Sequence, residues 1–289
     1  MKRILITGAN SYIGTSFKKW VLQYADQYHV DVISLKDSRW SERSFEGYDV
    51  LLHAAAIVHV EENDVSNYFK INRDLTIDVA IKARQEGIKQ FIFLSTMGVY
   101  GVETGHISKE TLPAPKTVYA QSKYEAEQCL TDLITKKFKV TILRPPIVYG
   151  KDCVGNYQRL AKIALKSPLF PNIHNERSMI YIDNLSEFIR QIIDHYADGL
   201  YFPQDNDYVN TTELVKFISK AHGKKMRVIK MLNWVITIGA KHSETIRKVF
   251  GSFTYDKTMP GGPNSFINGQ RVASVSTSLE EMILCTEGR

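Results

Sequence analysis

The stretch Arg3-Ile4-Leu5-Ile6-Thr7-Gly8-Ala9-Asn10-Ser11-Tyr12-Ile13-Gly14 decides the fold of this chain. Its first part is a continuous apolar, β-branched run, which is typical of a parallel strand buried on both faces. The glycines that follow allow a tight turn and a close approach of the backbone to a pyrophosphate, and a helix predicted over residues 12–24 directs its N-terminal amides at that anion. The order of strand, glycine loop and helix therefore predicts a dinucleotide-binding unit.

Four more apolar runs in the first half of the chain alternate with helical segments. The runs predict strands over residues 30–35, 48–56, 90–94 and 139–143, and helices are predicted over residues 65–86 and around residues 119–123. Strands that alternate with helices in this way are typical of a parallel sheet with helices on both faces. The sequence therefore predicts an α/β fold built on a doubly wound parallel sheet.

Composition limits the kinds of ligand that the chain can bind. The 289 residues include 44% hydrophobic and 24% charged residues, as in a soluble globular protein of one large domain or two lobes. The formal net charge of +6 favours anionic partners, and because Lys and Arg are scattered, a nucleotide fits better than a nucleic acid. Cys129, Cys153 and Cys285 show neither C-x-x-C spacing nor a disulfide framework, which predicts a reduced, cytoplasmic setting.

The sequence predicts neither a targeting segment, nor a membrane span, nor a metal site. The apolar run over residues 231–238 is far shorter than the ~20 residues that a span requires. It predicts a buried or surface-docked helix, with membrane contact as the alternative. His53 and His59 have no metal-ligand spacing, so both are predicted to be structural.

Tyr119 and Lys123 stand four residues apart on a predicted helix, so they share one helix face. A tyrosine alone, with a pKa of ~10, is a poor acid or base at neutral pH, but an adjacent ammonium favours the phenolate. We therefore expect Lys123 to lower the pKa of Tyr119 and make it a proton shuttle. The alternative is an ordinary amphipathic helix with one aromatic residue and one surface lysine.

Lys36 follows the second predicted strand at about the distance where a carboxylate grips the adenosine ribose in NAD-binding proteins. Our register places Lys36, rather than Asp37, at the end of this strand. With Arg39 close behind, Lys36 could accommodate a 2′-phosphate, which favours NADP(H) over NAD(H). In the alternative, Lys36 is solvated, Asp37 grips the ribose and NAD is the cofactor.

Small residues and hydroxyls follow two other predicted strands. Ala54, Ala55 and Ala56 allow a cofactor to approach the backbone, and Ser95 and Thr96 follow the fourth strand. The carboxyl ends of parallel strands are where an open α/β sheet binds its ligand. Both groups are therefore expected at the site.

Together these residues resemble the extended short-chain dehydrogenase/reductase superfamily, and within it the nucleotide-sugar epimerase/dehydratase/reductase group. The motifs that carry the resemblance are Thr7-Gly8 with Gly14, His53-Ala54-Ala55, Asn72, Leu94-Ser95-Thr96 with Val99-Tyr100-Gly101, Tyr119 with Lys123, Leu143-Arg144-Pro145 with Val148-Tyr149-Gly150, and the stretch from Arg177 to Leu185. One departure is Ser11, which stands where the family loop has its middle glycine.

The resemblance implies a role for each matching residue. Tyr119 would be the catalytic acid/base, Lys123 would lower its pKa and hold the nicotinamide ribose, and Thr96 would orient the C4 oxygen of a sugar. Arg177 would hold the pyrophosphate of the nucleotide sugar. The implied cofactor-binding residues are Gly8, Asn10, Ser11, Tyr12, Ile13, Gly14, Lys36, Arg39, Ala54, Ala55, Ala56, Asn72, Ser95, Tyr119, Lys123 and Pro146, and the implied substrate-binding residues are Thr96, Met97, Asn156 and Arg177.

The resemblance also implies two lobes. Residues 1–150 would form a Rossmann domain, and residues 151–289 a smaller α/β lobe that binds the substrate, with some chain crossing back to the sheet. Helices near residues 184–195, 211–222 and 243–250 would fill this lobe. Residues 250–256 have no expected role beyond packing.

The implied function is oxidoreduction at C4 of a nucleotide-diphosphate sugar. We expect a 4-ketoreductase that acts on a UDP-4-keto-6-deoxy (amino) sugar for surface-polysaccharide synthesis, with a homodimer as a candidate assembly. The alternatives are a 4-epimerase that keeps NAD bound and a non-catalytic NADP-sensing or scaffold protein. Met97 and Gly98 stand where a 4,6-dehydratase carries an Asp-Glu pair, so no dehydratase activity is expected.

Overall fold

The central sheet of the protein is parallel, in a computed structural model that describes residues 1–58, 65–272 and 278–288. In chain order the strands of the described residues are β1 (Lys2–Thr7), β2 (Tyr28–Ile33), β3 (Val50–His53), β4 (Gln90–Leu94), β5 (Gly105–Ile107), β6 (Lys139–Leu143), β7 (Ile147–Tyr149), β8 (Leu169–Pro171), β9 (Met179–Tyr181), β10 (Gly199–Tyr201), β11 (Arg227–Ile229), β12 (Phe253–Tyr255), β13 (Phe266–Ile267) and β14 (Gln270–Arg271). Within this part of the chain, six strands form the sheet in the spatial order β2-β1-β3-β4-β6-β10, and every pairing is parallel.

Helices cover both faces of the sheet and fill the C-terminal half. Within the described ranges they are α1 (Tyr12–Val21), α2 (Val65–Phe69), α3 (Leu75–Gln85), α4 (Val118–Thr131), α5 (Asn156–Lys166), α6 (Ile182–Asp194), α7 (Thr211–Ala221), α8 (Asn233–His242), α9 (Glu244–Phe250) and α10 (Leu279–Thr286). A π-helical segment, Lys70–Asp74, joins α2 to α3. None of the described helices is long and apolar enough to cross a membrane.

Two hydrophobic cores sandwich the sheet, because successive strand side chains point to opposite faces. Ile4 and Ile6 of β1 belong to the core under α1 and α6, together with residues such as Phe17 of α1. Leu5, between them, belongs to the core under α3 and α4, with residues such as Leu130. The expected doubly wound α/β fold is therefore confirmed.

Element boundaries agree with the predictions where a buried apolar run is unbroken. β4 and β6 have the predicted bounds, and α6, α7 and α9 lie within two residues of theirs. The predicted helix over residues 65–86 is interrupted by the π-helical segment. The prediction for β2 was wrong at its end: the strand stops at Ile33, because its ladder with β1 ends where Thr7 pairs with Ile33.

The C-terminal half forms a further core and sends chain back to the sheet. Tyr149, Tyr157 and Leu214 belong to this core, and β10 pairs with β6 in the large sheet. Residues 250–256 had no predicted role beyond packing. They contain β12, which pairs with β5, the strand that follows β4 along the chain. The division into two lobes at residue 150 stays a prediction.

Gly8 lies where the order of the sheet reverses, since β1 is flanked by β2 on one side and β3 on the other. Its φ is +86°, and a Cβ at this position would lie 2.8 Å from both Cα and N of Ala55. Real Cβ atoms do not approach a backbone so closely, and a positive φ disfavours any L side chain. The loop after β1 therefore packs directly on the backbone after β3 only because residue 8 is glycine.

We expect Gly8→Ala to destabilise the protein more than Gly87→Ala does. Gly87 has nearly the same φ, +84°, but nothing lies within 4 Å of its added Cβ. Both variants incur the ~1–2 kcal/mol cost of a left-handed alanine, and Gly8→Ala adds a further ~1–3 kcal/mol of overpacking. The measurement is the free energy of unfolding in urea. Equal losses in the two variants would refute the close-approach argument.

Candidate active site

A cavity of about 1110 Å³ opens at the carboxyl ends of β1, β2 and β3. The glycine loop, the segment after β2, the segment after β3 and the start of the π-helical region line it. Seven of the predicted cofactor-binding residues are among the lining residues: Gly8, Asn10, Ser11, Lys36, Ala54, Ala55 and Ala56. Because drug-sized ligands occupy roughly 300–1,000 Å³, this volume suits a ligand as large as a dinucleotide.

Ser11 fits the loop as the N-cap of α1. Its side-chain oxygen accepts a hydrogen bond from the Gly14 N–H at 3.0 Å. A Cβ at Gly14 would lie 2.5 Å from this oxygen and 3.3 Å from Cβ of Ala54. Serine in place of the family's middle glycine therefore fixes the start of α1. Tyr12, Ile13 and Gly14 form the first turn of that helix.

The segment after β2 holds its two predicted cations differently. Lys36 lies three residues past the strand end, lines the cavity and is exposed, and it has no ion pair within residues 1–58, 65–272 and 278–288. Arg39 instead pairs with Asp37, with 2.9 Å between Nη2 and Oδ2. The Asp37 carboxylate also caps the 3₁₀ turn Ser38–Ser41 by accepting from the Arg39 N–H. The expectation that Lys36 ends β2 was wrong, but Lys36 borders the cavity together with Asp37.

Asn72 holds the loop after β3 from behind. It is fully buried in the π-helical segment; its Oδ1 accepts from the Ile57 N–H at 2.9 Å, and its Nδ2 donates to the Ile57 carbonyl at 3.0 Å and to Ser122 Oγ at 3.2 Å. These two hydrogen bonds to the Ile57 backbone fix the loop that follows Ala56. Asn72 therefore positions the cavity wall. The sequence predicted a cofactor contact for Asn72 but did not predict this role.

Thr96 caps a 3₁₀ turn, Met97–Tyr100, beside the start of α4. Its Oγ1 accepts from the Gly98 N–H at 3.0 Å, and a Cβ at Gly98 would lie 3.3 Å from that Oγ1 and 3.9 Å from Cβ of Ala120. The Thr96 hydroxyl and the first turn of α4, which carries Tyr119, are therefore neighbours. Met97 is buried, and its N–H donates to the carbonyl of Pro145, next to the buried Pro146.

Ser95 does not present its hydroxyl to the cavity. The hydroxyl donates to the carboxylate of Glu127, which forms a buried ion pair with Arg144 at 2.5 Å. Arg144 also donates to the hydroxyl of Tyr100 at 2.9 Å. The Ser95 hydroxyl therefore belongs to a network that ties β4, α4 and β6 together, and the cofactor contact expected of Ser95 stays a prediction. Sequence reasoning missed Glu127, because a glutamate on a helix ordinarily indicates a solvated face.

Tyr119 and Lys123 differ from the expectation in their protonation. Burial raises the pKa of Tyr119 to about 12, and its half-buried ring packs edge-on against Tyr68, with 6.4 Å between centroids. Lys123 is buried and donates from Nζ to the Leu94 carbonyl at 2.9 Å, with its Nζ 4.5 Å from the centroid of Phe93. Burial lowers the pKa of Lys123 to about 7. The expectation of a lowered tyrosine pKa was wrong here, because desolvation dominates and the ammonium is bound to a carbonyl.

The predicted substrate residues lie in two places. Arg177 is buried, and its Nη1 donates to the Gly251 carbonyl at 2.8 Å, while its backbone bridges to Val209 and Phe253. Asn156 is exposed at the first position of α5. Arg177 therefore connects the segment before β9 to the end of α9.

His53 is a structural residue, as predicted. It is buried, its two ring nitrogens lie 2.9 Å from Thr7 Oγ1 and 3.0 Å from Thr76 Oγ1, and burial lowers its pKa to about 3. The neutral ring therefore joins β1, β3 and α3. His59 lies outside the described residues.

Comparison with known families identifies the family of the chain. The family model described as the NAD dependent epimerase/dehydratase family matches residues 4–202. The chain belongs to this family. A nicotinamide dinucleotide is therefore the cofactor that the cavity has to fit, and the glycine loop and the small residues after β3 that line the cavity suit it.

Relatives and solved structures include both epimerases and reductases. The chain is 28% identical over 286 residues to a UDP-glucose 4-epimerase of Vibrio cholerae, covering 88% of this chain and 87% of the relative. It is 25% identical over 242 residues to an N-acetyl-alpha-D-glucosaminyl-diphospho-ditrans,octacis-undecaprenol 4-epimerase of Escherichia coli O157:H7, covering 77% and 73%.

Solved structures that share the fold include an epimerase and a reductase. A UDP-glucuronic acid 4-epimerase from Bacillus cereus in complex with NAD has a TM-score of 0.73 at 18% identity, covering 99% of this chain and 97% of the other. A dTDP-4-dehydrorhamnose reductase from Bacillus anthracis in complex with NADP has a TM-score of 0.64 at 23% identity, covering 79% and 84%. These likenesses show the fold, and the reaction and substrate of this chain are matters for proposal.

Replacing Lys123 by Met should change how stability depends on pH. Folding lowers the pKa of Lys123 from an ordinary 10.5 to about 7, so between these pH values the unfolded chain binds the extra proton. The free energy of unfolding of the wild type should therefore rise from pH 7 towards pH 10 relative to Lys123→Met. Urea unfolding at several pH values measures it, with the exposed Lys18→Met as control. A wild-type advantage over Lys123→Met that does not vary with pH would contradict the buried, proton-poor lysine.

Proposed function

We propose that the protein is an NADP(H)-dependent 4-ketoreductase of nucleotide-diphosphate sugars, acting on a UDP-4-keto-6-deoxy (amino) sugar. The observation that carries the proposal is Lys36 at the edge of the cavity. It borders the cavity without an ion pair within the described ranges, while the nearby acid, Asp37, is engaged with Arg39. A free ammonium at this edge suits a 2′-phosphate, and a carboxylate that is already paired is less able to grip a ribose hydroxyl.

The protonation of Tyr119 is compatible with reduction. Its raised pKa of about 12 keeps the phenol protonated at neutral pH. A reduction at C4 needs a group that gives a proton to the nascent O4, whereas oxidation of a C4 hydroxyl needs a group that first takes one. A protonated tyrosine is therefore in the state that the reductive direction uses.

In the proposed mechanism the residues of this chain bind, orient and protonate the sugar. Gly8, Asn10, Ser11 and the residues after β3 would hold the dinucleotide, which when bound supplies the hydride for the C4 carbonyl. Tyr119 gives its proton to O4, and the Thr96 hydroxyl orients that oxygen. Lys123, whose pKa of about 7 leaves it partly protonated, would supply a donor beneath the site.

The phosphates of the substrate would be held on the other side of the site. We propose that Arg177 binds the diphosphate, as its position in the family motif implies. Its tie to Gly251 links this binding position to the segment that leads into β12. Asn156 and Met97 are further proposed substrate contacts.

A 4-epimerase with bound NAD is the second candidate. It is favoured by the V. cholerae relative, which covers most of both chains and is named a UDP-glucose 4-epimerase. The E. coli relative is also named a 4-epimerase, and its substrate by name is a sugar on undecaprenol diphosphate, so the carrier of the sugar is part of the question. A non-catalytic sensor is the weakest reading, because Thr96, Tyr119 and Lys123 are all present.

The reductase should consume NADPH with a 4-keto substrate. We expect stoichiometric loss of the reduced-nicotinamide absorbance when the protein is mixed with a UDP-4-keto-6-deoxy-HexNAc and NADPH, and a loss of rate of ~10²–10⁴-fold in Tyr119→Phe, since the acid is removed. The same protein with UDP-glucose or UDP-GlcNAc, without added cofactor, should leave the C4 configuration unchanged. No NADPH consumption together with C4 inversion would establish the epimerase instead.

Lys36→Asp should reverse or narrow the preference for NADPH. Loss of a charge-assisted contact of ~1.5–3 kcal/mol weakens NADPH binding about tenfold or more, while NADH binding is retained or improved. The measurement is the ratio of the two dissociation constants by fluorescence titration. Lys18→Asp, the same charge change at an exposed site on α1, is the control. Equal affinity of the wild type for NADPH and NADH would remove the main support for this cofactor.

A further inference from the structure

The stretch over residues 223–242 is unlike the rest of this mixed-charge chain. It contains five Lys or Arg residues and no Asp or Glu, interleaved with apolar residues. It covers β11, a 3₁₀ turn at Lys230–Leu232 and α8. The proposed reaction uses none of these residues. A basic, apolar segment without acidic residues complements an anionic surface.

Three large apolar side chains of this stretch face solvent together. Met231 is 77% exposed, Trp234 62% and Ile238 52%. Their spacing of three and four residues aligns them on one side of the 3₁₀ turn and α8. A neighbouring side of α8 packs on α9, where a Cβ at Gly239 would lie 2.5 Å from Ile246. The exposed row is therefore held outward by a packed helix pair.

Unpaired cations border this row. Lys230 and Lys241 are exposed and have no ion pair in the described part of the chain. The neighbouring helix behaves differently: Lys248 of α9 lies beside both Glu244 and Glu103. The lysines next to the apolar row are thus available to an external anion, whereas Lys248 of α9 is neutralised within the protein.

Two anchors fix α8 and α9 to the substrate side of the molecule. The Asn233 side chain bonds the Asn172 backbone in both directions, at 3.0 and 2.8 Å. After α9, the Gly251 carbonyl accepts from Arg177 at 2.8 Å. The row is therefore carried by a rigid attachment rather than by a free tail, and it lies on the same half of the chain as the proposed substrate residues.

We propose that Met231, Trp234 and Ile238, with Lys230 and Lys241, form an α8 face that docks on an anionic lipid membrane. An interfacial helix buries an apolar row containing Trp in the headgroup region and keeps its Lys residues at the lipid phosphates. Each lysine near such a surface contributes ~1 kcal/mol. The exposed lysines of this face, in a stretch that contains no acidic residue, match a uniformly anionic lipid surface better than a protein partner, whose interface would carry both signs. The docking is reversible, since one short helix supplies the apolar contact.

The experiment is vesicle binding by the full chain. Wild type is sedimented with vesicles of phosphatidylcholine containing 30% phosphatidylglycerol, and with phosphatidylcholine alone. We expect binding to the anionic vesicles, little binding to the neutral ones, and at least a tenfold weaker dissociation constant for Trp234→Glu. Leu22→Glu, which changes an exposed apolar residue on the other half of the protein, should bind like wild type.

A second pair of variants tests the contribution of the lysines separately from that of the apolar row. The double variant Lys230→Glu/Lys241→Glu should lose anionic-vesicle binding, while Lys18→Glu/Lys19→Glu, an equal change of charge on α1, should lose much less. Circular dichroism and binding of a nicotinamide cofactor verify folding of each variant, so a failure of the proposed reductase reaction does not affect this result. Absence of wild-type binding to anionic vesicles, or a Trp234→Glu variant that instead loses self-association in sedimentation equilibrium, would overturn the proposal.

Discussion

The structure depends on one backbone-to-backbone contact, between Gly8 after β1 and Ala55 after β3. A side chain at residue 8 would lie 2.8 Å from the Ala55 backbone, so the two loops can meet only with a glycine there. The contact lies where the strand order reverses, which is where an open α/β sheet forms its ligand crevice. Asn72 fixes the second loop from behind through both polar groups of Ile57. The shape of the cavity therefore depends on the absence of a Cβ at Gly8 and on the buried side-chain amide of Asn72.

The region that carries Thr96, Tyr119 and Lys123 is positioned by different means. Ser95, Glu127, Arg144 and Tyr100 form a buried polar network between β4, α4 and β6. A buried ion pair is weak evidence for stability, but it fixes geometry when its remaining hydrogen bonds are satisfied, as they are here by Ser95 and Tyr100. The network orients the strands and helix from which Thr96, Tyr119 and Lys123 project. Burial then lowers the pKa of Lys123 and raises that of Tyr119, which keeps the tyrosine phenol protonated at neutral pH.

Much of this architecture could be predicted from the sequence, and the exceptions have physical causes. β4 and β6 were predicted with their true bounds because each is an unbroken run buried on both faces. The end of β2 was misplaced because the apolar Leu35 extends the hydrophobic run past Ile33, where the ladder with β1 stops. The hydrogen bonds of Asn72 to the Ile57 backbone were not predicted, since the spacing of apolar residues does not reveal a π-helical segment. The pKa of Tyr119 was expected to fall because the sequence shows the spacing of Tyr119 and Lys123. The sequence does not show the burial that raises this pKa, nor the Leu94 carbonyl that accepts a hydrogen bond from Lys123.

We propose that a nicotinamide cofactor bound in this crevice transfers hydride to C4 of a sugar and exchanges with solution after each turnover. The most direct measurement uses NADPH deuterated at both C4 positions of the nicotinamide, a UDP-4-keto-6-deoxy-HexNAc and the purified protein, with the product analysed by mass spectrometry and NMR. The account predicts one deuterium per product molecule, located at C4 of the sugar. A product without deuterium, or C4 inversion of a UDP-hexose with no label taken from the added cofactor, would contradict it.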